Sequence, residues 1–243
     1  MSRHRLFIPQ TISDGEELCL DGEQGHYLSR VLRLKPGSEV LLFDGSGYEY
    51  PSLVTEVHRK RVLLQPGAAV LRDIESPLQI RLVQGISRGE RMDFVIQKAT
   101  ELGVHRISPV LTEFSVVKLQ ADRASRRLLH WNKIAQSACE QCGRSKIPVI
   151  DEPSVLHDFL RGSASAQCRL LLQPSATTSL HQIDRPESAI DLLIGPEGGI
   201  SDGETEMLFD AGFKAVSLGP RVLRTETAAL AAVAILQAKW GDL

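Results

Sequence analysis

Close to Pro77 the apolar residues of this chain change period, and a chain that does so must fold as two differently built parts. Before that point the pattern is short apolar runs broken by turn residues: Leu6-Phe7-Ile8, Leu18-Cys19-Leu20, Val40-Leu41-Leu42-Phe43, Leu53-Val54 and Val62-Leu63-Leu64. Such runs read as strands. Asp44-Gly45-Ser46-Gly47 supplies the positive φ angles a hairpin loop requires, and Lys35-Pro36-Gly37 marks another turn. One helical stretch, around His26–Leu32, interrupts the strands. Residues 1–72 are therefore expected to form a small, mostly antiparallel β-barrel. Ile74-Glu75-Ser76-Pro77 reads as a linker. With 243 residues, 42% of them hydrophobic, the chain has material for a second core.

Residues 73–243 alternate strand and helix, the mark of an α/β domain with a mainly parallel sheet. Leu78–Val83 reads as a strand, and Met92, Val95, Ile96, Ala99 and Leu102 recur at helical spacing until Gly103. Arg106–Val110 is the next strand. A long amphipathic helix then runs through Leu128, Trp131, Ile134 and Ala138 to Gly143. Leu170–Leu172 and Leu192–Ile194 are short apolar strands, each entering a Pro-containing loop. Ser201 and Glu204 form a capping-box pattern that opens a helix ending near Gly212. A strand over Ala215–Leu218 meets Gly219-Pro220, and an alanine-rich helix covers Thr225–Trp240.

Ligands of open α/β sheets bind beyond the carboxyl ends of strands, so the loops after Leu172, Ile194 and Leu218 are candidate sites if those strands are neighbours. Turn punctuation alone would also explain the glycines and prolines. The loop Gly195-Pro196-Glu197-Gly198-Gly199 matches neither the dinucleotide fingerprint nor the P-loop, which points to a cofactor held without a phosphate cradle. Gly85-Ile86-Ser87-Arg88-Gly89 offers a rival, since it has the written form of a nucleophile elbow. An esterase built on Ser87 would draw on Asp151 with His157 or His181. The plainer reading is a polar loop carrying Arg88 and Arg91 towards a phosphate backbone or a partner subunit.

Cys139 and Cys142 fall at a helix end rather than its start, and no second pair completes a zinc site, so they read as structural thiols. The seven histidines are scattered, and no metal is expected. No apolar run approaches the ~18 residues of a membrane span, so a soluble cytoplasmic protein is expected. The formal net charge of −2 excludes a globally basic nucleic-acid binder but leaves room for a local basic face. Arg3-His4-Arg5, Arg30 with Arg33 and Lys35, and Arg59-Lys60-Arg61 would form one if the barrel gathered them.

Leu192–Gly199 and Leu218–Ala228 resemble the two cofactor-loop motifs of the SPOUT methyltransferases. The chain as a whole is similar to the 16S ribosomal RNA uracil-N3 methyltransferase family, through His26–Arg33, Ser87–Arg91, Lys98–Val104 and Glu140–Arg144. That resemblance implies a PUA-like β-barrel RNA-binding domain, an α/β domain with a C-terminal trefoil knot, a homodimer, and S-adenosylmethionine held in the knot. The partner it implies is 16S rRNA or the small ribosomal subunit. Carried onto this sequence, cofactor contacts fall to Leu172, Gln173, Ile194, Gly195, Pro196, Glu197, Gly198, Gly199, Leu218, Gly219, Leu223, Thr227 and Ala228. Gln173 before Pro174 is the one visible departure from the pattern.

Methylation at uracil N3 must remove a proton and stabilise the resulting anion. At the mouth of the last loop, Arg224 is the candidate for the anion and Glu226 for the proton, although Glu226 could instead favour the first turn of the last helix. N3 lies on the pairing edge, so the target base must be unstacked, which calls for a second RNA grip. Arg3, Arg5, Arg30, Arg33 and Arg88 are expected to supply it. A non-catalytic RNA-binding module is the remaining alternative.

Overall fold

The computed structural model describes residues 4–115, 121–162, 168–187 and 189–243, and they divide into two compact units. Arg3 lies outside the described residues. The first unit runs through Glu75 and also takes Cys139–Ile147; the second comprises Ser76–Ala138 and Pro148–Leu243.

Strands β1 (His4–Phe7), β2 (Leu18–Leu20), β3 (Glu39–Phe43), β4 (Tyr48–Val57), β5 (Val62–Pro66) and β6 (Val70–Leu71) build the first unit. They form one sheet in the order β1-β3-β4-β5-β2, with β6 on β4. Its ladders are antiparallel except β1 on β3, which are parallel. Alternating residues of these strands, among them Leu6, Leu42, Val54 and Leu64, meet Leu28 in one apolar core. Leu28 comes from the expected helical stretch, which is a short helix α1 (Gly22–His26) continued by one wider π-type turn, Tyr27–Val31.

The sequence assigns Cys139–Ile147 to the second domain, and the structure moves it to the first. Arg5 is the reason. Its guanidinium donates to the Cys139 and Arg144 carbonyls at 2.6 and 3.3 Å, pairs with Glu49 and lies over the Phe43 ring. Glu140 accepts the Phe7 N–H at 3.0 Å, and Arg144 pairs with Glu75 at 2.7 Å. Cys139 sits within this packing, and burial pushes its thiol pKa up to about 12, so it is an inert structural thiol as the sequence implied.

In the second unit, β7 (Ile80–Gly85), β8 (Arg106–Leu111), β9 (Val149–Ile150), β10 (Ser154–Val155), β11 (Cys168–Leu172), β12 (Ile190–Ile194) and β13 (Lys214–Val216) form a wholly parallel sheet. The order is β10-β8-β7-β12-β11-β13, with β9 also on β8. Helices α2 (Glu90–Glu101), α3 (Ala121–Cys142), α4 (Leu156–Gly162), α5 (Asp202–Asp210) and α6 (Thr225–Trp240) accompany it. The cues read from sequence operate here. Gly103 and Gly143 take φ of +79° and +95° just past α2 and α3, and Ser201 with Glu204 forms the capping box of α5. Val83, Val110, Leu171, Leu193, Leu208 and Phe213 form a core between sheet and helices. No described helix is long and apolar enough to cross a membrane.

Candidate active site

Parallel pairing decides where the site lies. β11 stands between β12 and β13, with Leu172 opposite both Ile194 and Val216, so the chain leaves all three strands at one edge of the sheet. The three departing bends enclose a cavity of about 690 Å³. Leu172 and Gln173 line it from the first bend; Ile194, Gly195, Pro196, Glu197 and Gly199 from the second; Leu218, Gly219, Leu223 and Ala228 from the third. Arg224 and Glu226 line it too.

Two residues expected there are elsewhere. Gly198 faces away and lies against Phe114, where a β-carbon would fall 2.7 Å from the Phe114 Cβ. Thr227 is exposed, because one step along α6 from Glu226 rotates it by about 100°, off the cavity wall.

The second bend is held from both sides. Gly85, ending β7, has no room for a β-carbon because the Gly195-Pro196 backbone lies directly on it. Glu197 reaches the opposite way, accepting the Arg88 N–H at 3.1 Å and an Arg91 guanidinium N–H at 2.6 Å. Burial pushes the Glu197 carboxyl up, but the backbone and Arg91 hydrogen bonds outweigh it and hold the group below its ordinary range. Gly85→Ala is expected to displace this bend at a cost of about 1–3 kcal/mol, lowering cofactor affinity roughly ten- to hundredfold. Titration calorimetry reads the effect, and unaltered affinity would show the bend to be unimportant for the cavity.

Charge around the cavity is unevenly neutralised. Arg91 is matched by Glu197. Arg221 and Arg224 are both exposed, with no ion-pair partner among the described residues. Glu226 is the converse, since its Oε2 is buried and meets no hydrogen-bond donor among the described residues. A carboxylate oxygen withdrawn from water in this way favours a ligand that brings a donor or a positive charge.

The esterase reading finds no support at Ser87, Asp151 or His157. Ser87 is buried, and among the described residues its hydroxyl reaches only the Gly85 carbonyl, at 3.5 Å. Asp151 is engaged by Arg106 and Ser108, and His157 by its neighbour Asp158. Of the expected RNA contacts, Arg30, Arg33 and Arg88 are exposed. Arg5 is withdrawn, because its guanidinium is fully engaged inside the first unit and only 13% exposed.

Sequence reasoning missed Thr225 and Gln84. Thr225 donates to the Gly195 carbonyl at 2.7 Å and accepts from Gln84 at 3.0 Å. Thr225 read only as a helix start, and Gln84 as one polar residue closing an apolar strand, so no local signal marked either.

Comparison with known proteins bears on this geometry. A family model described as an RNA methyltransferase domain matches residues 74–237, and one described as an RNA methyltransferase PUA domain matches residues 20–67. Ribosomal RNA small subunit methyltransferase E of Buchnera aphidicola (subsp. Schizaphis graminum) is 34% identical over 239 residues, 98% of this chain and 97% of that protein. The chain belongs to the ribosomal RNA small subunit methyltransferase E family. The methyltransferase superposes with TM-score 0.92 on the Neisseria gonorrhoeae methyltransferase E bound to S-adenosyl methionine, at 38% identity with 100% of each chain covered. A Legionella pneumophila structure, described as a methyltransferase with bound SAM, gives TM-score 0.95 at 39% identity, again over 100% of both chains. Its fold is thus a PUA-like domain joined to a SPOUT-type α/β methyltransferase domain.

Proposed function

We propose that this methyltransferase moves a methyl group from S-adenosylmethionine to N3 of a uridine in 16S ribosomal RNA, in the cytoplasm and as a homodimer. The observation that carries the reading is the cavity at the ends of β11, β12 and β13, with two arginines, Arg221 and Arg224, and one buried Glu226 oxygen that meet no partner among the described residues. The residues present suit the cofactor. The bends carry no phosphate-binding lysine, and the orphaned Glu226 oxygen suits a ligand with positive charge or hydrogen-bond donors. The Neisseria and Legionella relatives, described with SAM bound, support the same assignment.

When bound, the cofactor supplies an electrophilic methyl group on a sulfonium. The chain's own residues then have three tasks. The apolar bends at Leu172, Ile194 and Leu218 exclude water and fix orientation. Arg224 stabilises the negative charge that spreads over the uracil ring and its oxygens as N3 loses its proton. Glu226 takes or holds that proton. Mass-spectrometric mapping of rRNA treated with enzyme and cofactor tests the reading, and a product lacking methyl on any uridine N3 overturns it. A trefoil knot in the third bend is part of the same proposal, supported by the return of the chain from β13 to Thr225 beside Gly195. An experimental chain trace without threading removes the knot, and a monomeric mass in sedimentation removes the dimer.

RNA contact by the first unit is supported by its surface. Ser29 donates to the Arg59 carbonyl at 3.1 Å, and Gly25 abuts the Lys60 carbonyl, which joins Arg59-Lys60-Arg61 to the turn bearing Arg30. Tyr27 and Val31, 43% and 60% exposed, interleave with these cations and give a base a surface to stack on. Replacing Arg30 and Arg33 together by Ala is expected to weaken RNA binding and lower its salt slope by about 0.7 per lost contact to single-stranded RNA. Cofactor affinity stays unchanged. Unaltered RNA affinity would take these arginines out of the grip.

A further inference from the structure

A threonine at a helix start ordinarily caps that helix. Thr225 does something else. The N-cap position of α6 belongs to Arg224, which makes no side-chain cap, and the Thr225 hydroxyl is spent across the cavity edge. It donates to the Gly195 carbonyl of the second bend at 2.7 Å and accepts from Gln84 Nε2, at the end of β7, at 3.0 Å. Gln84 is fully buried, its Nε2 also donates to the Gly85 carbonyl at 3.0 Å, and its Oε1 has no hydrogen-bond partner among the described residues. One hydroxyl therefore ties the ends of two central strands to the first residue of α6. The residues on either side of it are Arg224 and Glu226.

We propose that Gln84 and Thr225 are positioning residues for methyl transfer. Their hydrogen bonds set where the backbone presents Arg224 and Glu226 at the cavity, so they act on the rate chiefly through those two side chains, with a smaller effect on cofactor affinity because Thr225 lines the cavity and holds the Gly195 carbonyl. The inference rests on the reading of Arg224 and Glu226 given above. Its physical basis is rigidity: Arg224 and Glu226 lack ion-pair partners of their own among the described residues, so their orientation comes from the backbone between them. Misplacement of a catalytic group by about 1 Å can cost on the order of a hundredfold in rate.

A purely stabilising pin would make bonds of the same kind, and the same helix provides one for comparison. Near its far end, Gln237 accepts from Ser76 at 2.7 Å and donates to the Leu102 carbonyl at 2.8 Å, with none of these residues lining the cavity. The experiment measures single-turnover methylation of rRNA at saturating cofactor, calorimetric affinity for S-adenosylmethionine, and Tm, in Thr225→Val, Thr225→Ser, Gln84→Met and Ser76→Ala. Thr225→Val and Gln84→Met are expected to slow the reaction roughly ten- to hundredfold with a clearly smaller loss of cofactor affinity, and Thr225→Ser to restore it. Ser76→Ala lowers Tm and keeps the rate. Adding Thr225→Val to Arg224→Ala costs little more, because both act at one point. Full rate in Thr225→Val overturns the inference, as does an affinity loss matching the rate loss, or equal slowing by Ser76→Ala. If Thr225→Val does not fold, Gln84→Met reads the same relay by the same criteria. Full activity in both Arg224→Ala and Glu226→Ala would instead refute the roles given to those residues, a failure separate from the relay's.

Discussion

Arg224→Ala is expected to slow methylation by about two to three orders of magnitude, while affinity for S-adenosylmethionine stays within about threefold. The reasoning is a comparison of cations around one cavity. Arg91 lines it, but Glu197 holds its guanidinium at 2.6 Å, so its charge is already answered. Arg224 has extended backbone, with φ −64° and ψ 151°, and ends no ion pair among the described residues. Under the proposed reaction its positive charge serves the anion that uracil becomes, and its place beside Glu226 at the start of α6 sets it apart from Arg221, which also lacks an ion-pair partner among the described residues. A charge poised where negative charge develops lowers the barrier without binding the ground state more tightly, which is why rate and affinity should separate. Arg224→Lys keeps the charge and loses the planar fork, so an intermediate rate is expected. Single-turnover kinetics at saturating cofactor read these values. A wild-type rate in Arg224→Ala would pass the role to Arg221, the remaining arginine of the cavity wall.

Much of the site was legible because it is made by short-range patterns. Leu170–Leu172 and Leu192–Ile194 declare themselves as buried parallel strands, and Gly-Pro punctuation marks where each chain direction breaks. Once those strands are neighbours, the bends must gather at one edge of the sheet. The capping box at Ser201 and Glu204 was equally local, with both partners three residues apart. What stayed hidden depends on partners far along the chain. Arg5 sits in a basic tripeptide and reads as surface, yet its bonds go to residues 134 and 139 positions later, so its burial is a property of tertiary structure. The same bonds carry Cys139–Ile147 into the first unit against its position in sequence. Gly198 and Thr227 lie off the cavity wall for a geometric reason: a loop and a helix turn successive residues to different sides, and motif membership ignores that rotation. Thr225 and Gln84 are linked over 141 positions by one hydrogen bond, which no periodicity encodes.

The other large effect lies in the sheet away from the bends, where Asp191→Ala is expected to cost about 3–5 kcal/mol. Asp191, 1% exposed on β12, stands in register between Arg81 on β7 and Arg169 on β11. Arg81 donates to it at 2.7 Å, and Arg169 Nε lies 3.5 Å from the same carboxylate. Both guanidinium groups are further fixed, Arg81 over the Phe159 ring and Arg169 over Phe213 with a bond to the Ala211 carbonyl. They could not swing into water without breaking that packing. Removing the carboxylate therefore leaves the half-buried Arg81 and the buried Arg169 facing each other across one strand without the anion they share, and their repulsion adds to the lost attraction. At about 2–4 °C per kcal/mol for a chain of this size, Tm should fall by roughly 6–20 °C. Asp191→Asn keeps the shape and some hydrogen bonding, so a smaller drop is expected. Because Asp191 precedes Ile194, the first cavity residue of β12, cofactor affinity measured well below the transition should not change. A Tm within about 2 °C of the parent, which corresponds to at most about 1 kcal/mol, would mean that the two arginines find other compensation and that this triad does not hold the three central strands together.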